Sequence, residues 1–295
     1  DYNTRADIFA AHPDGSGTIL VTKNMVTGAY SDQGGSAPVY APTMPLRLLY
    51  TTSSSNIVGG GGEPKLVVTH QEPFASVRVD ETLTATGNNY SYDQVWSPDG
   101  TKVAFASDAS NLALNDTNNA GDIFVAVPGD RDPVRLSQSS PTVGGDGGSQ
   151  RPSWVGNGAV AFETSSTNLG GDSSSRNKVI LVDLASSART LISSASDGSA
   201  SNGHSFYPTG NATGTLVAFV SQGTNVVPGD TSEQDVYVKY LDTGATVRVS
   251  ETPAGVGGNG VSGTIYAPMS WSPVADELLF TTEASNLVSG DPWTR

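Results

Sequence analysis

Short apolar runs alternate with polar turns along the whole chain, and the pattern repeats. The best-preserved copy, Val95 to Val127, reads as a strand ending at Trp96, a Ser-Pro-Asp-Gly turn, an alternating strand, a polar loop and an apolar strand starting at Asp122. Short runs rich in Val, Ile and Phe, bounded by Gly, Pro, Asn and Asp, are typical of β-strands. No long window shows a sustained helical period. The sequence therefore predicts an all-β protein.

A second strand, here strand B, returns five times and sets the period. Each copy is an apolar run with an aromatic residue, closed by a hydroxyl residue, an asparagine and an aliphatic residue; the copies span 47–57, 102–112, 159–169, 216–226 and 277–287. Their asparagines recur at a nearly constant spacing; they are Asn56, Asn111, Asn168, Asn225 and Asn286. Four short strands in each period are the signature of a β-propeller blade.

The other three strands of the unit recur around strand B. Strand A precedes it and carries an aromatic residue: Tyr40, Trp96, Trp154, Phe206 or Trp271. Strands C and D follow it, as 65–68 and 75–79, 122–125 and 133–137, 178–182 and 188–192, 235–238 and 245–249. Stacking on a sugar or a cation is one possible use of the strand A rings. Because such rings bury large areas, we expect them to fill the space between neighbouring blades instead.

The fifth unit is divided between the two ends of the chain. Residues 269–291 supply strands A and B, whereas residues 7–24 supply strands C and D. The prediction is a single domain over residues 1–295, a five-bladed propeller of four-stranded antiparallel blades whose last blade joins N-terminal outer strands to C-terminal inner strands. The expected blades are residues 38–82, 90–139, 150–194, 203–251, and 264–291 with 7–24. A crop from a longer array is the alternative.

The composition agrees with many short strands and disfavours some classes of binding partner. The 295 residues include 34 Gly, 17 Pro and no Cys, which excludes disulfides and thiolate chemistry. The net charge of −14 disfavours nucleic acid and anionic membrane surfaces, and no apolar stretch is long enough for membrane insertion. The first residues do not form a signal peptide, but a chain whose signal has been removed would look the same. A monomer is expected.

The repeat resembles a known family. Residues 95–127 are similar to the WD40-like (PD40) repeat of the TolB-type bacterial propellers, with good copies at 216–241 and 271–291. This resemblance implies a β-propeller that is secreted or periplasmic and that serves as an interaction domain. The fold also carries several enzyme activities, so the resemblance is more specific for fold than for function.

The long connections indicate where a partner would bind. Strands that run A-B-C-D place the D–A and B–C connections at one end of each sheet, named here the long-loop face, and the short A–B and C–D turns at the other. Here the D–A and B–C connections are long and rich in Gly, Ser and Asn. Binding residues concentrate on loops held by a rigid scaffold. We therefore expect a protein or glycan partner on the long-loop face.

Acidic B–C loops are a candidate calcium site. Asp116, Asn118 and Asp122 stand at D-x-N-x-x-x-D; related copies are Asp1, Asn3 and Asp7, and the shorter Asp230 and Asp235. Calcium binds several oxygen ligands on flexible loops, which this spacing could supply. The alternative is structural: the first Asp forms an Asx-turn and the last Asp bonds loop amides.

Catalysis has less support in the sequence. Glycoside hydrolysis needs two carboxyl groups roughly 5–9.5 Å apart, and the A strands offer Asp93 as their acid, with Asp146 in a D–A loop. His204 also lies in a D–A loop, and no G-x-S-x-G nucleophile turn is present. The expected function is a non-catalytic binding scaffold. A glycan- or ester-hydrolysing propeller and a calcium-dependent lectin remain the alternatives.

Overall fold

The all-β prediction is confirmed by the computed structural model, which describes residues 4–24, 27–43, 45–58, 63–70, 75–230, 234–263, 269–274 and 276–289. Within these ranges the chain forms strands and one short helix, α1 (Ser55–Val58). In this part of the chain no helix is long and apolar enough to span a membrane. The chain divides into two compact units, Asp1–Leu136 and Ser137–Arg295, which are described separately below. Asp1 and Asn3 of the calcium prediction lie outside the described residues.

Unit 1 contains two four-stranded antiparallel sheets and one hairpin. The hairpin is β1 (Phe9–Ala10) with β2 (Ile19–Leu20). The first sheet has the order β3 (Ser36–Tyr40), β4 (Arg47–Thr52), β5 (Lys65–His70), β6 (Ala75–Arg78). The second has the order β7 (Ser91–Trp96), β8 (Val103–Ser107), β9 (Asp122–Ala126), β10 (Val134–Arg135). Both sheets reproduce the predicted A-B-C-D order.

Unit 2 repeats this arrangement. Its four-stranded sheets are β13 (Ser149–Val155), β14 (Ala159–Thr164), β15 (Lys178–Asp183), β16 (Arg189–Leu191), and β17 (Ser205–Gly210), β18 (Leu216–Ser221), β19 (Asp235–Tyr240), β20 (Thr246–Arg248). Two hairpins complete it: β11 (Gln138–Ser140) with β12 (Val143–Gly144), and β21 (Ser270–Trp271) with β22 (Leu278–Leu279). The last hairpin supplies strands A and B of the predicted fifth unit.

Strand B is buried along almost its whole length in every four-stranded sheet. Its aromatic residue is fully shielded from solvent in all four sheets; these residues are Tyr50, Phe105, Phe162 and Phe219. Two of the four stack on a strand C ring of the same sheet: Phe105 on Phe124 at 5.6 Å, and Phe219 on Tyr237 at 5.5 Å between ring centroids. A strand with both faces buried reads as a continuous apolar run, which explains why strand B carried the clearest repeat.

Neighbouring sheets pack against each other within each unit. In unit 1, Trp96 is buried among residues of both four-stranded sheets, and its Nε1–H donates to the Val39 carbonyl at 3.2 Å. In unit 2, Trp271 Nε1–H donates to the Thr209 carbonyl at 2.9 Å. Both contacts join an A strand to the A strand of the preceding sheet. The prediction that the strand A rings lie between sheets is thus met for these two tryptophans.

The assignment of Phe206 to the same position is wrong. Trp154 pairs with Val160, whereas the residue that pairs with the equivalent Val217 is Gly210, further along the same strand than Phe206. A Cβ atom at Gly210 would lie 2.2 Å from the Trp154 carbonyl oxygen. Glycine is therefore needed for the close approach of the two A strands, and Phe206 is free to take another role.

Each complete A strand contains a β-bulge near its start. The register shifts between Ser36 and Val39 in β3, and the same shift recurs in β7, β13 and β17. The second residue of each bulge has a positive φ of 50–53°; these residues are Ala37, Asp93, Arg151 and Tyr207. Bulges redirect a side chain relative to its strand. The four sheets therefore share one backbone position whose side chain differs every time.

Candidate functional site

At the long-loop end of each sheet, one repeated set of hydrogen bonds joins the D–A loop to the B–C loop. In the second sheet, the Asn111 carboxamide accepts from the Asn88 backbone N–H at 3.0 Å and donates to the Thr86 carbonyl at 2.8 Å. Asn88 returns the contact, accepting from the Ser110 backbone N–H at 2.9 Å and donating to the Ser110 hydroxyl at 3.0 Å. The D–A loop before the sheet is thereby tied to the B–C loop within it. We call this arrangement the loop clamp.

The loop clamp is present in all five repeats. Its B–C partners are the five asparagines that set the repeat, each after a Ser or Thr, and its D–A partners are Asp32, Asn88, Asp146, Asn202 and Asn259. In the last copy, for example, the Asn286 carboxamide accepts from the Asn259 N–H and donates to the Gly257 carbonyl, both at 3.0 Å. The polar backbone groups of both loops are thus paired without a regular sheet.

Aspartate replaces asparagine in two copies of the clamp. Asp146 accepts from the Thr167 hydroxyl and from the Thr167 backbone N–H, and hydrogen bonding from this hydroxyl is the main reason that its pKa lies below the ordinary value. At Asp32, partial burial raises the pKa, but the hydrogen bonds from Ser54 and Ser55 outweigh it and the net shift is downward. These two clamps are therefore stronger when the carboxyl group is ionised.

The acidic loop of the calcium prediction surrounds an arginine in unit 1. Arg135, on the strand after that of Asp122, places Nη1 3.4 Å from the Asp122 carboxylate and donates through Nη2 to the Leu114 carbonyl at 3.1 Å. Both side chains of this ion pair are almost fully buried. Asp116 accepts from the backbone of Asn118, as an Asx-turn requires, and burial raises its pKa. The guanidinium thus supplies positive charge beside the two predicted acidic ligands.

The acidic loop of unit 2 follows the same plan. Arg248, again on the strand after that of Asp235, has Nη1 3.3 Å from Asp230 and 3.7 Å from Asp235. The Tyr237 hydroxyl donates to Asp230 at 2.5 Å, and the Ser250 hydroxyl donates to Asp235 at 2.5 Å. Burial raises the pKa of Asp235. Buried arginine–carboxylate pairs are therefore a repeated structural element.

In the third sheet, a lysine and a leucine replace the buried aspartate and arginine. Lys178 stands where Asp122 and Asp235 stand, and Leu191 takes the arginine position. The Lys178 ammonium donates to the carbonyls of Ser166 and Ser174, both at 2.7 Å. The charge at this position thus differs between sheets, while the position stays buried.

Calcium binding stays a prediction. Asp116, Asn118 and Asp122 lie in one loop of unit 1. Asp230 and Asp235 lie together in unit 2. Asp7 accepts from the Thr22 hydroxyl at 2.6 Å. Across the described ranges, no group of three or more acidic or histidine side chains is arranged to hold a metal ion.

A different polar cluster lies on the long-loop face of unit 2. Arg151, at the bulge of β13, chelates the Glu163 carboxylate through Nη1 at 2.9 and 3.0 Å. Glu163 also accepts from Gln150 Nε2 at 2.6 Å and Asn177 Nδ2 at 3.1 Å. Its side chain is 1% exposed, whereas that of Arg151 is 38% exposed. Several half-buried donors thus fix one buried carboxylate, which in turn fixes a partly exposed guanidinium.

Aromatic rings extend this cluster. The Arg151 guanidinium lies 4.8 Å from the centroid of the Tyr207 ring, which belongs to the bulge of the next A strand. The Phe206 ring is 5.8 Å from Tyr207 and also 5.8 Å from the nearly parallel ring of His204. His204 Nδ1 accepts from the Asn177 backbone N–H at 3.1 Å. Two bulges thus bring a cation, a carboxylate and three rings together.

Sequence reasoning missed this cluster. It singled out Asp93 on the A strands, and Asp93 sits at the equivalent bulge of unit 1. A signal was nevertheless present: Glu163 occupies a strand B position held by Ala106 and Val220 in the neighbouring copies. A charged residue in such a slot must be paired when it is buried. Asp146 belongs to a loop clamp and not to this cluster.

No protein-family model matches the sequence, and no curated protein matches it. Solved structures resemble it at low identity. TolB from Acinetobacter baumannii is 15% identical with a TM-score of 0.46, over 90% of this chain and 51% of TolB. The β-propeller domain of the trilobed protease from Pyrococcus furiosus is 12% identical with a TM-score of 0.42, over 75% of this chain and 58% of that domain.

An oligogalacturonate lyase in complex with manganese is 13% identical with a TM-score of 0.49, over 92% of this chain and 72% of the lyase. The chain spans about half the length of TolB. The chain is thus similar to TolB and to other propeller proteins. These similarities concern the fold, and they assign no activity, substrate or partner to this chain.

The aspartate clamp predicts a pH effect. Because the folded-state pKa of Asp146 is lowered, its contribution is present above the unfolded-state pKa and is lost as pH falls through the folded-state value. Asp146→Asn, which copies Asn88 and Asn202, should fold and lack this component. Thermal melts of both proteins between neutral and acid pH should show the advantage of the wild type over the variant shrinking below about pH 4.

The reciprocal variant is the control. Asn202→Asp faces Thr224 as Asp146 faces Thr167, so it should gain an acid-sensitive component. Parallel pH profiles for the wild type and both variants would contradict the account.

The buried arginine pair gives a second prediction. Arg135→Leu leaves the Asp122 carboxylate buried without its cation and should lower the free energy of unfolding by about 3–5 kcal/mol in urea titrations. The double variant Asp122→Lys/Arg135→Leu copies Lys178 and Leu191 of the third sheet and should recover part of this loss.

A double variant no more stable than the single one would contradict the interchange of the two arrangements.

The same wild-type protein, melted with calcium and with EDTA, tests the calcium prediction. Calcium should raise the melting temperature, and superimposable curves would rule out calcium stabilisation.

Proposed function

We propose that the protein is a non-catalytic binding scaffold, secreted or periplasmic, that presents its long-loop face to a protein or glycan partner. The loop clamp carries this proposal. In all five repeats, a D–A loop and a B–C loop are cross-linked by reciprocal hydrogen bonds. Ordering loops before binding removes part of the entropic cost of association.

The exposed side chains of the same loops support a binding role. Leu83, in a D–A loop, is 78% exposed, and Leu114, in a B–C loop, is 83% exposed. Val256, in a D–A loop of unit 2, is 59% exposed. Apolar side chains on rigid, exposed loops are suited to contact a partner.

A hydrolase in the same place has less support. The Arg151 cluster holds one carboxylate, Glu163, and this carboxylate is saturated by donors and shielded from solvent. A two-carboxylate mechanism needs acids that can reach the substrate, whereas the Glu163 side chain is 1% exposed and accepts from Arg151, Gln150 and Asn177. The geometry thus favours binding over hydrolysis.

Matched surface variants test the proposal. Affinity capture from the extracellular or periplasmic fraction of the source organism should recover a partner with the wild type but not with Leu83→Lys/Leu114→Lys/Val256→Lys on the long-loop face. The control Leu46→Lys/Val127→Lys/Val274→Lys changes three exposed residues on the short-turn end and should retain the partner. Loss of the partner with the control alone, or turnover of ester or glycoside substrates, would contradict the proposal.

We also propose that the propeller has five blades and that residues 7–22 complete the sheet begun by β21 and β22. Phe9 is the repeat equivalent of Phe124 and Tyr237. Those two rings are fully buried against the strand B ring of their own sheet, whereas Phe9 is 59% exposed. The equivalent strand B ring in the last unit is Phe280.

Among the described residues of unit 2, apolar side chains beside the β21–β22 hairpin remain exposed. A cavity of about 470 Å³ lies between the β17–β20 sheet and the β21–β22 hairpin, and it is lined by Phe280, Trp271, Leu278 and Val238, among others. Leu279 of β22 is 74% exposed, although Ala104 and Ala218 at the same place in strand B are fully buried. An apolar strand on this edge would bury these side chains.

An engineered disulfide tests this closure. The chain has no cysteine, so Phe9→Cys/Phe280→Cys should form an intramolecular disulfide under mild oxidation, seen as a faster band on non-reducing gels. The control Val134→Cys/Phe280→Cys pairs Phe280 with an exposed residue of another sheet and should not form one. Dimers alone, or equal cross-linking in both variants, would contradict the five-bladed closure.

A further inference from the structure

The two bulges of unit 2 point to a more specific ligand. Arg151 and Tyr207 both have positive φ, 52° and 53°, which costs a non-glycine residue backbone energy. The bulge recurs in every complete A strand, so the backbone shape belongs to the architecture. What is particular to unit 2 is that its two bulges place a guanidinium against an aromatic ring, 4.8 Å apart.

Glu163 fixes the position of the guanidinium. Its carboxylate spends both oxygens on Arg151 Nη1 and also receives the amide donors of Gln150 and Asn177. With Glu163 1% exposed and Arg151 38% exposed, the outer part of the guanidinium faces solvent in one orientation. A pre-positioned, partly exposed arginine is a binding element, because little side-chain entropy remains to be lost.

The side-chain amides of Gln150 and Asn177 add hydrogen-bond acceptors beside the Arg151 guanidinium, which is a donor. Gln150 and Asn177 give their N–H groups to Glu163, and among the described residues no donor is assigned to either amide oxygen. Planar side chains that offer both donors and acceptors can bond hydroxyl groups, which are donors and acceptors themselves. Beside them lie the rings of Phe206 and Tyr207, 5.8 Å apart and each partly exposed. Arg151 covers one face of Tyr207, and His204 stacks on Phe206.

The charge balance selects an uncharged ligand. Arg151 and Glu163 cancel each other, and the net charge of −14 repels anions from the protein as a whole. A ring that carries several hydroxyl groups and an apolar face meets all these conditions.

The loops next to the Arg151 cluster are held by loop clamps. The clamp of Asp146 with Thr167 and Asn168 joins the loop before β13 to the loop after β14. The clamp of Asn202 with Thr224 and Asn225 does the same for the next sheet. Gln150, Glu163 and His204 therefore lie next to loops that are already tied down.

From these observations we propose that Arg151, Glu163 and Tyr207, with Gln150 and Asn177, form a binding site for a neutral saccharide. This site rests on the proposed function, since it lies on the long-loop face. It goes further by naming the ligand chemistry and the residues.

Affinity electrophoresis of the folded full-length chain tests the site. The gels contain hydroxyethylcellulose, xylan, galactomannan or starch as neutral polysaccharides, and polygalacturonate as the uronate arm. At least one neutral polysaccharide should retard the wild type, with little change in high salt because no net charge is involved. Tyr207→Asn, which tolerates the positive φ, should weaken retardation about tenfold by removing the ring.

Two further variants separate binding from folding. Glu163→Gln keeps the shape but releases the guanidinium, and it should weaken retardation while circular dichroism stays native. Asp93→Asn changes the equivalent bulge in unit 1 and should bind as the wild type does. Retardation by polygalacturonate alone, no retardation by any polysaccharide, or full binding by Tyr207→Asn would overturn the neutral-saccharide site. The proposed scaffold would survive these results if the long-loop variants still lost a captured partner.

Discussion

A four-stranded sheet with two apolar faces must be covered on both of them, and most of the structure follows from this constraint. The β3–β6 sheet of unit 1 is covered on one face by the β7–β10 sheet and on the other by the hairpin that carries Ile8 and Val21. The β17–β20 sheet of unit 2 is likewise covered on both faces. Because the faces and the strand B interior are committed to packing, variation is concentrated at the ends of the sheets.

The two ends of the sheets differ in how they are built. The short-turn end is made of tight turns, such as the one in which the Asp99 carboxylate accepts from the backbone and hydroxyl of Thr101. The other end carries long connections that would be costly to order singly. Reciprocal asparagine pairs order them two at a time, and they do so with backbone groups that would otherwise need water. Each D–A loop is thereby tied to the B–C loop of its own repeat.

The sequence predicted the strands well, because packing on both faces imposes a visible apolar period. It located the asparagine of each clamp but used it only to set the repeat period, since its partner lies far upstream, in the preceding D–A loop, and is either Asn or Asp. The arginine on the strand after Asp122 was visible too, but its position in the sequence alone did not show that it points to the same buried place. Phe206 was assigned to the position that Gly210 holds because the repeat pattern relied on an aromatic residue in strand A, and this strand carries glycine there.

Hydrogen–deuterium exchange at single-residue resolution tests most directly whether the long-loop face is held rigid. The clamped amides of Asn88, Ser110, Asn202 and Thr224 lie in exposed loops, yet each donates to a clamp side chain. The account predicts that these amides exchange slowly, at rates close to those of the neighbouring strands. Exchange as fast as that of an unprotected loop, with the strands still protected, would contradict it.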